Sequence, residues 1–348
     1  MSSAATAAGL DAELRALVQD ALGVAAARIE RIAGGGVGHR SFFRIALASG
    51  EPRSVVARVD RGEPAPGVLP EPPLEPLRSF LEAHGLPVPR RLGGDAARGI
   101  DLLEDAGTTS LAAAVAADPA SAPALYEEAC DWIAVLQRLA DPSGRVPAFG
   151  RALDAALVGV KAKRFAASGL PAVLARAPSP HEVACVHAAF DAVLETLRDA
   201  PRRLAHRDYQ SANLLVRADA PPGRRLVWID VQGALLAPPE YDLVCLLRDS
   251  YVVLPDDRVH ALTERIRPRL PDAPDLATFA RRFDLLTVVR KAKDFALFHE
   301  LAGRGDASYL RFAPATLDYV RAALARVAPL DVRLAALADL VGGGACAR

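Results

Sequence analysis

LAHRDYQSANLLVRADAPPGRRLVWIDVQGA, residues 204–234, is the most legible stretch of this 348-residue chain. It sets His206, Arg207 and Asp208 in a row, Asn213 five residues after Asp208, and a further aspartate, Asp230, beyond two short apolar runs. Those runs, NLLV at 213–216 and RLVWIDV at 225–231, are rich in strand-forming residues and flank a Pro-Pro-Gly turn, so they read as a hairpin. A hairpin returns its second arm to where the first began. Asp208, Asn213 and Asp230 are therefore expected to converge on one site.

Two carboxylates and an amide at one point suit phosphoryl transfer. That reaction needs little covalent help. It needs an acceptor hydroxyl in line with the phosphorus and the phosphate charge neutralised. Asp208 on a rigid loop would orient the hydroxyl and take its proton late. The Asn213 side-chain oxygen and the Asp230 carboxylate would be hard ligands for Mg2+, which takes oxygen octahedrally. His206 is read as structural, packing and hydrogen-bonding the loop. The plainer alternative is that such residues only cap turns. The hairpin and a strand-terminal Asp230 placed after H-R-D-x-x-x-x-N weaken it.

Upstream, residues 11–22 have helical spacing. Strands follow at RIA (31–33), at SFFRIAL (41–47) and at SVVARV (54–59), and GIDLLEDAG (99–107) begins as another. LEPLRSFLEAHGL (74–86) reads as a helix closed by Gly85. From Thr109 onward helices dominate, at 111–117, 124–140, 153–169, 181–200, 240–251, 257–268, 275–301 and 314–341. The expected architecture is a small sheet lobe joined to a larger helical lobe.

Composition narrows the class. Hydrophobic residues make up 51 % and charged residues 24 %, enough apolar side chain to offset chain entropy in a folded protein. The formal net charge is zero, which disfavours a nucleic-acid binder. Of 42 basic residues only Lys161, Lys163, Lys291 and Lys293 are lysine. The four cysteines form no C-x-x-C pair, so neither structural zinc nor a disulfide framework is expected. The first ten residues lack a basic and an apolar signal region, and no uncharged apolar run is long enough to span a membrane. A cytoplasmic protein without membrane association or an obligate protein partner is expected.

With these motifs in hand, the chain resembles the aminoglycoside phosphotransferase superfamily from about Ile32 to about Leu324. The resemblance implies an α+β, bilobal, protein-kinase-like fold with a small β-rich N-lobe and a larger helical C-lobe. Residues 1–105 would form the nucleotide-binding lobe, with a hinge at about 102–107, and 106–348 the lobe with the catalytic loop and acceptor pocket. It implies Asp208 as catalytic base, Asn213 and Asp230 as Mg2+ ligands, and ATP or GTP as donor. More narrowly, IDVQGALLAPPEYDLVCLLRDSYV (229–252) and RKAKDFALFHELAGRGDASYLRF (290–312) resemble the bacterial cell-wall kinases that phosphorylate the anomeric hydroxyl of N-acetylmuramate and N-acetylglucosamine. This implies an ATP-dependent sugar kinase making a sugar 1-phosphate, with Gln232, Arg248 and Asp249 at the acceptor and Asp242 bracing the catalytic loop. The chain departs from that pattern at Val231 and Gly233.

On the nucleotide side, Gly35, Gly36 and Gly38 between two strands would cradle phosphates with backbone N–H groups. Protein kinases place a lysine on the third strand. No lysine precedes Lys161, and Arg58, the only basic residue within that strand, would donate to the phosphates in its place. Glu75 or Glu82 on the following helix would pair with it, Glu75 being better placed. Leu103 and Glu104 resemble the hinge that reads adenine. From Glu240 to the end there are 15 acidic and 16 basic residues, no acidic excess for a polycationic drug, which favours a neutral or anionic acceptor. The rival readings are an aminoglycoside, choline or homoserine kinase of the same fold, and a non-catalytic nucleotide-binding pseudokinase. A protein kinase is disfavoured because Ala237-Pro238-Pro239-Glu240 follows Asp230 too closely to leave an activation loop.

Overall fold

The computed structural model describes residues 2–32, 40–61 and 71–342, the side chains of 2–8 excepted. The chain divides into two compact units, one of Met1–Glu71, Arg78–Thr108 and Val227–Ile229, the other of Pro72–Leu77, Thr109–Leu226 and Asp230–Arg348.

In the first unit, α1 (Ser2–Leu22) precedes β1 (Ala26–Arg31), β2 (Arg40–Leu47) and β3 (Ser54–Asp60); α2 (Leu77–Ala83), β4 (Arg91–Asp95) and β5 (Ile100–Glu104) follow. The strands form one antiparallel sheet in the order β1-β2-β3-β5-β4. Period-2 alternation sends Val55, Ala57 and Val59 to one face, where they join Ile45, Ile100 and Leu102 against Leu14 and Val18 of α1. Arg58 points to the opposite face and is still buried, 4 % exposed. The sequence reading missed β4, RLGGD, because its glycines carry no β signal. A Cβ on Gly93 would stand 2.7 Å from the Ala21 Cβ of α1, so close helix packing requires the glycine. α2 is also shorter than expected. Pro76 holds Glu75 out of helical backbone, so Glu75 lies in the turn before α2.

The second unit contains α3 (Leu111–Ala117), α4 (Ala122–Leu136), α5 (Ala155–Arg164), α6 (Leu170–Leu174) and α7 (Pro180–Thr196). Then come β6 (Arg203–Ala205), β7 (Leu214–Val216), β8 (Leu226–Trp228), whose Val227 and Trp228 belong to the first unit, and β9 (Leu235–Ala237), followed by α8 (Tyr241–Leu247), α9 (Asp256–Ile266), α10 (Leu276–Gly303), α11 (Ala313–Val327) and α12 (Val332–Gly342). The helix expected over 153–169 is α5 plus a π-helical turn, Phe165–Gly169.

Two short ladders bracket the segment of interest. β7 and β8 pair, and Arg217 N–H donates to the Arg225 carbonyl at 2.8 Å to close their loop. β6 pairs antiparallel with β9, Ala205 opposite Leu235, a ladder absent from the sequence reading. These registers set His206 beside Ala234 and bring Asn213 and Asp230 to the same open end of the hairpin. Among the described residues no helix is long and apolar enough to cross a membrane.

Candidate active site

Residues 206–213 form a loop whose main chain is fastened by one helix face. The Asp242 carboxylate accepts from the backbone N–H of His206 at 2.7 Å and of Arg207 at 3.0 Å. The Cys245 thiol donates to the Arg207 carbonyl at 3.3 Å. Asp249 accepts from Ser211 N–H at 2.7 Å and from Tyr251 N–H at 3.0 Å. Positions 242, 245 and 249 follow the i, i+3, i+7 spacing of one face, with 249 just beyond the end of α8. This explains how Arg207 holds φ +80°, a backbone region that disfavours a branched or long side chain. Tyr209, fully buried, donates its hydroxyl to the Ala129 carbonyl of α4 at 3.0 Å and anchors the loop between Asp208 and Gln210. Asn213 Nδ2 donates to the Asp208 carbonyl at 2.9 Å, which ties both ends of the loop together.

Asp208 carries the charge of the site. Its Oδ1 accepts from Nη1 of Arg290, on α10, at 2.8 Å, and Arg207 Nε is 3.7 Å from Oδ2. Arg290 is 2 % exposed and also reaches Gln210 at 3.3 Å and Asp294 at 3.3 Å. Burial pushes the Asp208 carboxyl up, but Arg290, Arg207, Lys293 and Lys161 together hold it well below the usual carboxylate range. Asp208 is thus an anion at neutral pH and a weak base. That suits a loose transition state, in which orienting the hydroxyl matters more than removing its proton early. Asp242 behaves oppositely. Burial raises it to about 7, against the pull of its two backbone N–H donors. Burial raises Asp249 as well, opposed by Lys291 and the Ser211 bonds.

Asn213 spends its amide N–H on the loop, and its Oδ1 has no hydrogen-bond partner among the described residues. Asp230 sits at φ +63°, a left-handed conformation that aspartate tolerates, and one of its oxygens accepts from Gln232 Nε2. One carboxylate and one amide oxygen at the same end of a hairpin suit an ion that takes its remaining ligands from phosphate and water. They fit Mg2+.

Several sequence assignments are corrected. Gln232 is 4 % exposed and donates to Asp230, which orients that carboxylate. Asp249 is fully buried with both oxygens on backbone amides, so it braces the loop as Asp242 does. Arg248 pairs with Asp256 at 2.8 Å and lies over the rings of Phe283 and Tyr319. Arg58 pairs with Asp60 and with its cross-strand partner Asp101, with neither Glu75 nor Glu82; Glu82 pairs with Arg78. With Nη1 and Nη2 so engaged, Arg58 is occupied within its own sheet. Leu103 and Glu104 lie on β5, Glu104 bonded to Arg90. Gly35, Gly36 and Gly38 lie outside the described residues.

Sequence reasoning missed the walls of the site. Beside Asp208 is a small depression open to solvent, lined by Gln210, by Ser250 and Tyr251, and by Arg290, Lys293, Asp294, Leu297 and Phe298 of α10. None of the three residues assigned to the acceptor lines it. The scarcity of lysine was the available signal. Lys161 hydrogen-bonds Tyr241 at 3.1 Å, while Lys291 and Lys293 contact Asp294.

The sequence pattern of the family described as "Phosphotransferase enzyme family" matches residues 28–282. The chain is 31 % identical over 267 residues to the N-acetylmuramate/N-acetylglucosamine kinase of Pseudomonas aeruginosa, covering 73 % of this chain and 75 % of that one. Its backbone resembles the choline kinase LicA from Streptococcus pneumoniae, with a TM-score of 0.61 at 11 % identity, covering 90 % and 99 % of the two chains. It also resembles a thermostable aminoglycoside phosphotransferase mutant in ternary complex with ADP and hygromycin B, with a TM-score of 0.55 at 14 % identity, covering 89 % and 98 %. At such identities these structures speak to the fold alone, which is α+β and protein-kinase-like.

Proposed function

Given that the chain belongs to the phosphotransferase enzyme family and acts on a hydroxyl acceptor, we propose that it is an amino-sugar kinase. It transfers the γ-phosphate of ATP to the anomeric hydroxyl of N-acetylmuramate or N-acetylglucosamine and releases the sugar 1-phosphate. The relative from Pseudomonas aeruginosa bears that kinase name, and a solved neighbour holds ADP. The observation that carries the reading is the Asp208 carboxylate, held by Arg290 at the edge of a surface depression.

In this reading the Asp208 carboxylate accepts a hydrogen bond from the acceptor hydroxyl, aligns its oxygen with the phosphorus, and receives the proton as the new bond forms. Asn213 and Asp230 would hold Mg2+, which when bound neutralises charge on the donor phosphates. Gln232 keeps the Asp230 carboxylate turned. The wall argues against a polycationic acceptor. Asp208 and Asp294, its two carboxylates, are both already paired with cations of the chain.

The test is sugar-dependent release of ADP from Mg-ATP, with the product assayed for loss of its reducing end, since only phosphorylation of the anomeric hydroxyl removes it. Asp208→Ala is expected to lower turnover by about 10²- to 10⁴-fold. Turnover of an aminoglycoside or choline, with none of either sugar, would reject the reading.

A further inference from the structure

Four of the chain's 42 basic residues are lysine, and two of these, Lys291 and Lys293, meet at Asp294. Asp294 is approached by three cations: Arg290 Nε at 3.3 Å, Lys291 Nζ at 2.9 Å and Lys293 Nζ at 3.2 Å. The carboxylates facing this cluster are Asp294 itself and Asp208, which shares Arg290. Asp249, nearby, is turned onto backbone amides. Arg207 adds further positive charge around Asp208, while burial pushes the Lys161 ammonium well down. The chain's own acids therefore do not neutralise this wall.

The three cations on Asp294 differ in exposure. Arg290 and Lys291 side chains are 2 % and 1 % exposed, Lys293 is 18 %. Lys291 also bonds the Ser250 hydroxyl at 3.4 Å, whereas the Lys293 ammonium, with three donors, bonds only Asp294 among the described residues. Lys293 lines the depression one helical turn from Leu297, and Phe298 lies beside Leu297. A cation with uncommitted donors next to an apolar patch matches a ligand that has both a carboxylate and a carbon-rich face. A compact ammonium leaves room there that a guanidinium would fill.

Resting on the amino-sugar kinase reading, we propose that Lys293 determines acceptor specificity by pairing with a carboxylate on the sugar. N-acetylmuramate, which carries a lactyl carboxylate, is then favoured over N-acetylglucosamine, which carries none. Arg290 and Lys291 hold Asp294 in place, and Asp294 positions the Lys293 ammonium.

The experiment measures kcat and KM of the purified chain with both sugars, for the parent, Lys293→Met and Lys293→Gln. The expected result is a fall of about 10- to 100-fold in the ratio of kcat/KM for N-acetylmuramate over N-acetylglucosamine, carried by KM. A ratio within about threefold of the parent's overturns the proposal. So does an equal loss of kcat with both sugars, which would place Lys293 on the transferred phosphate. A parent that turns over N-acetylglucosamine alone overturns it while leaving the proposed function standing. A parent that turns over neither sugar overturns that function, and this inference with it.

Discussion

At the scale of single residues, the proposed chemistry rests on Arg290, eighty-two positions from the aspartate it holds. Burial alone would raise the Asp208 pKa, and the cations reverse that, Arg290 foremost. Removing a positive neighbour raises a carboxyl pKa. Arg290→Gln is thus expected to move the acidic limb of the kcat/KM profile to higher pH than the parent's. Arg290→Lys, which keeps the charge, should return the limb most of the way to the parent's position even if turnover stays low. An unchanged acidic limb in Arg290→Gln would show that Asp208 does not depend on this charge. The roles suggested for Asp208, Asn213 and Asp230 come from a local spacing and could be read from the chain. Arg290 could not. Its partner is distant in sequence, and an arginine among many arginines carries no mark.

At the scale of elements, α8 and the residues after it act as a clamp on the catalytic loop. Asp242, Cys245 and Asp249 share one face and hold backbone groups of residues 206, 207 and 211. Asp249→Asn leaves one oxygen to accept where two accepted before and turns an N–H donor toward a backbone N–H. A loss of about 1–3 kcal/mol of stability is expected, with kcat falling and the sugar KM little changed. A KM effect at unchanged thermal stability would instead put Asp249 on the acceptor. The elements themselves were unevenly legible. Long helices announce themselves through many turns of spacing. β6 and β9, of three residues each, are too short for any period, and β4 is formed by glycines that only the packing of α1 explains. α2 begins late because Pro76 constrains Glu75.

At the scale of the whole molecule, buried acids make stability depend on pH. Glu240 is fully buried; its nearest cation is Arg282 Nη1 at 3.5 Å, and Asp272 faces it as a like charge. Burial raises its pKa to about 7, with Arg282 opposing. The folded state then keeps a proton that the unfolded chain releases above its ordinary value of about 4.3. Its contribution is complete at low pH and is lost as pH rises toward 7. Asp242, also near 7, has the same sign. Asp208 and Asp294, both depressed, have the opposite sign, felt only below about pH 4. Glu240→Gln should therefore flatten the decline of melting temperature between about pH 5 and 7.5, an effect on the order of 1–3 kcal/mol. A parent that gains stability across that interval would contradict the assignment. The sequence alone determined that an aspartate, an asparagine and a second aspartate flank a hairpin between a strand-rich start and a helical remainder, because spacing and periodicity are local properties of a chain. Only the tertiary structure decided which side chains face Asp208, which carboxylates are turned onto backbone amides, and where the excess positive charge collects. The first two outcomes depend on contacts between residues 35 to 82 positions apart, and no local pattern encodes them.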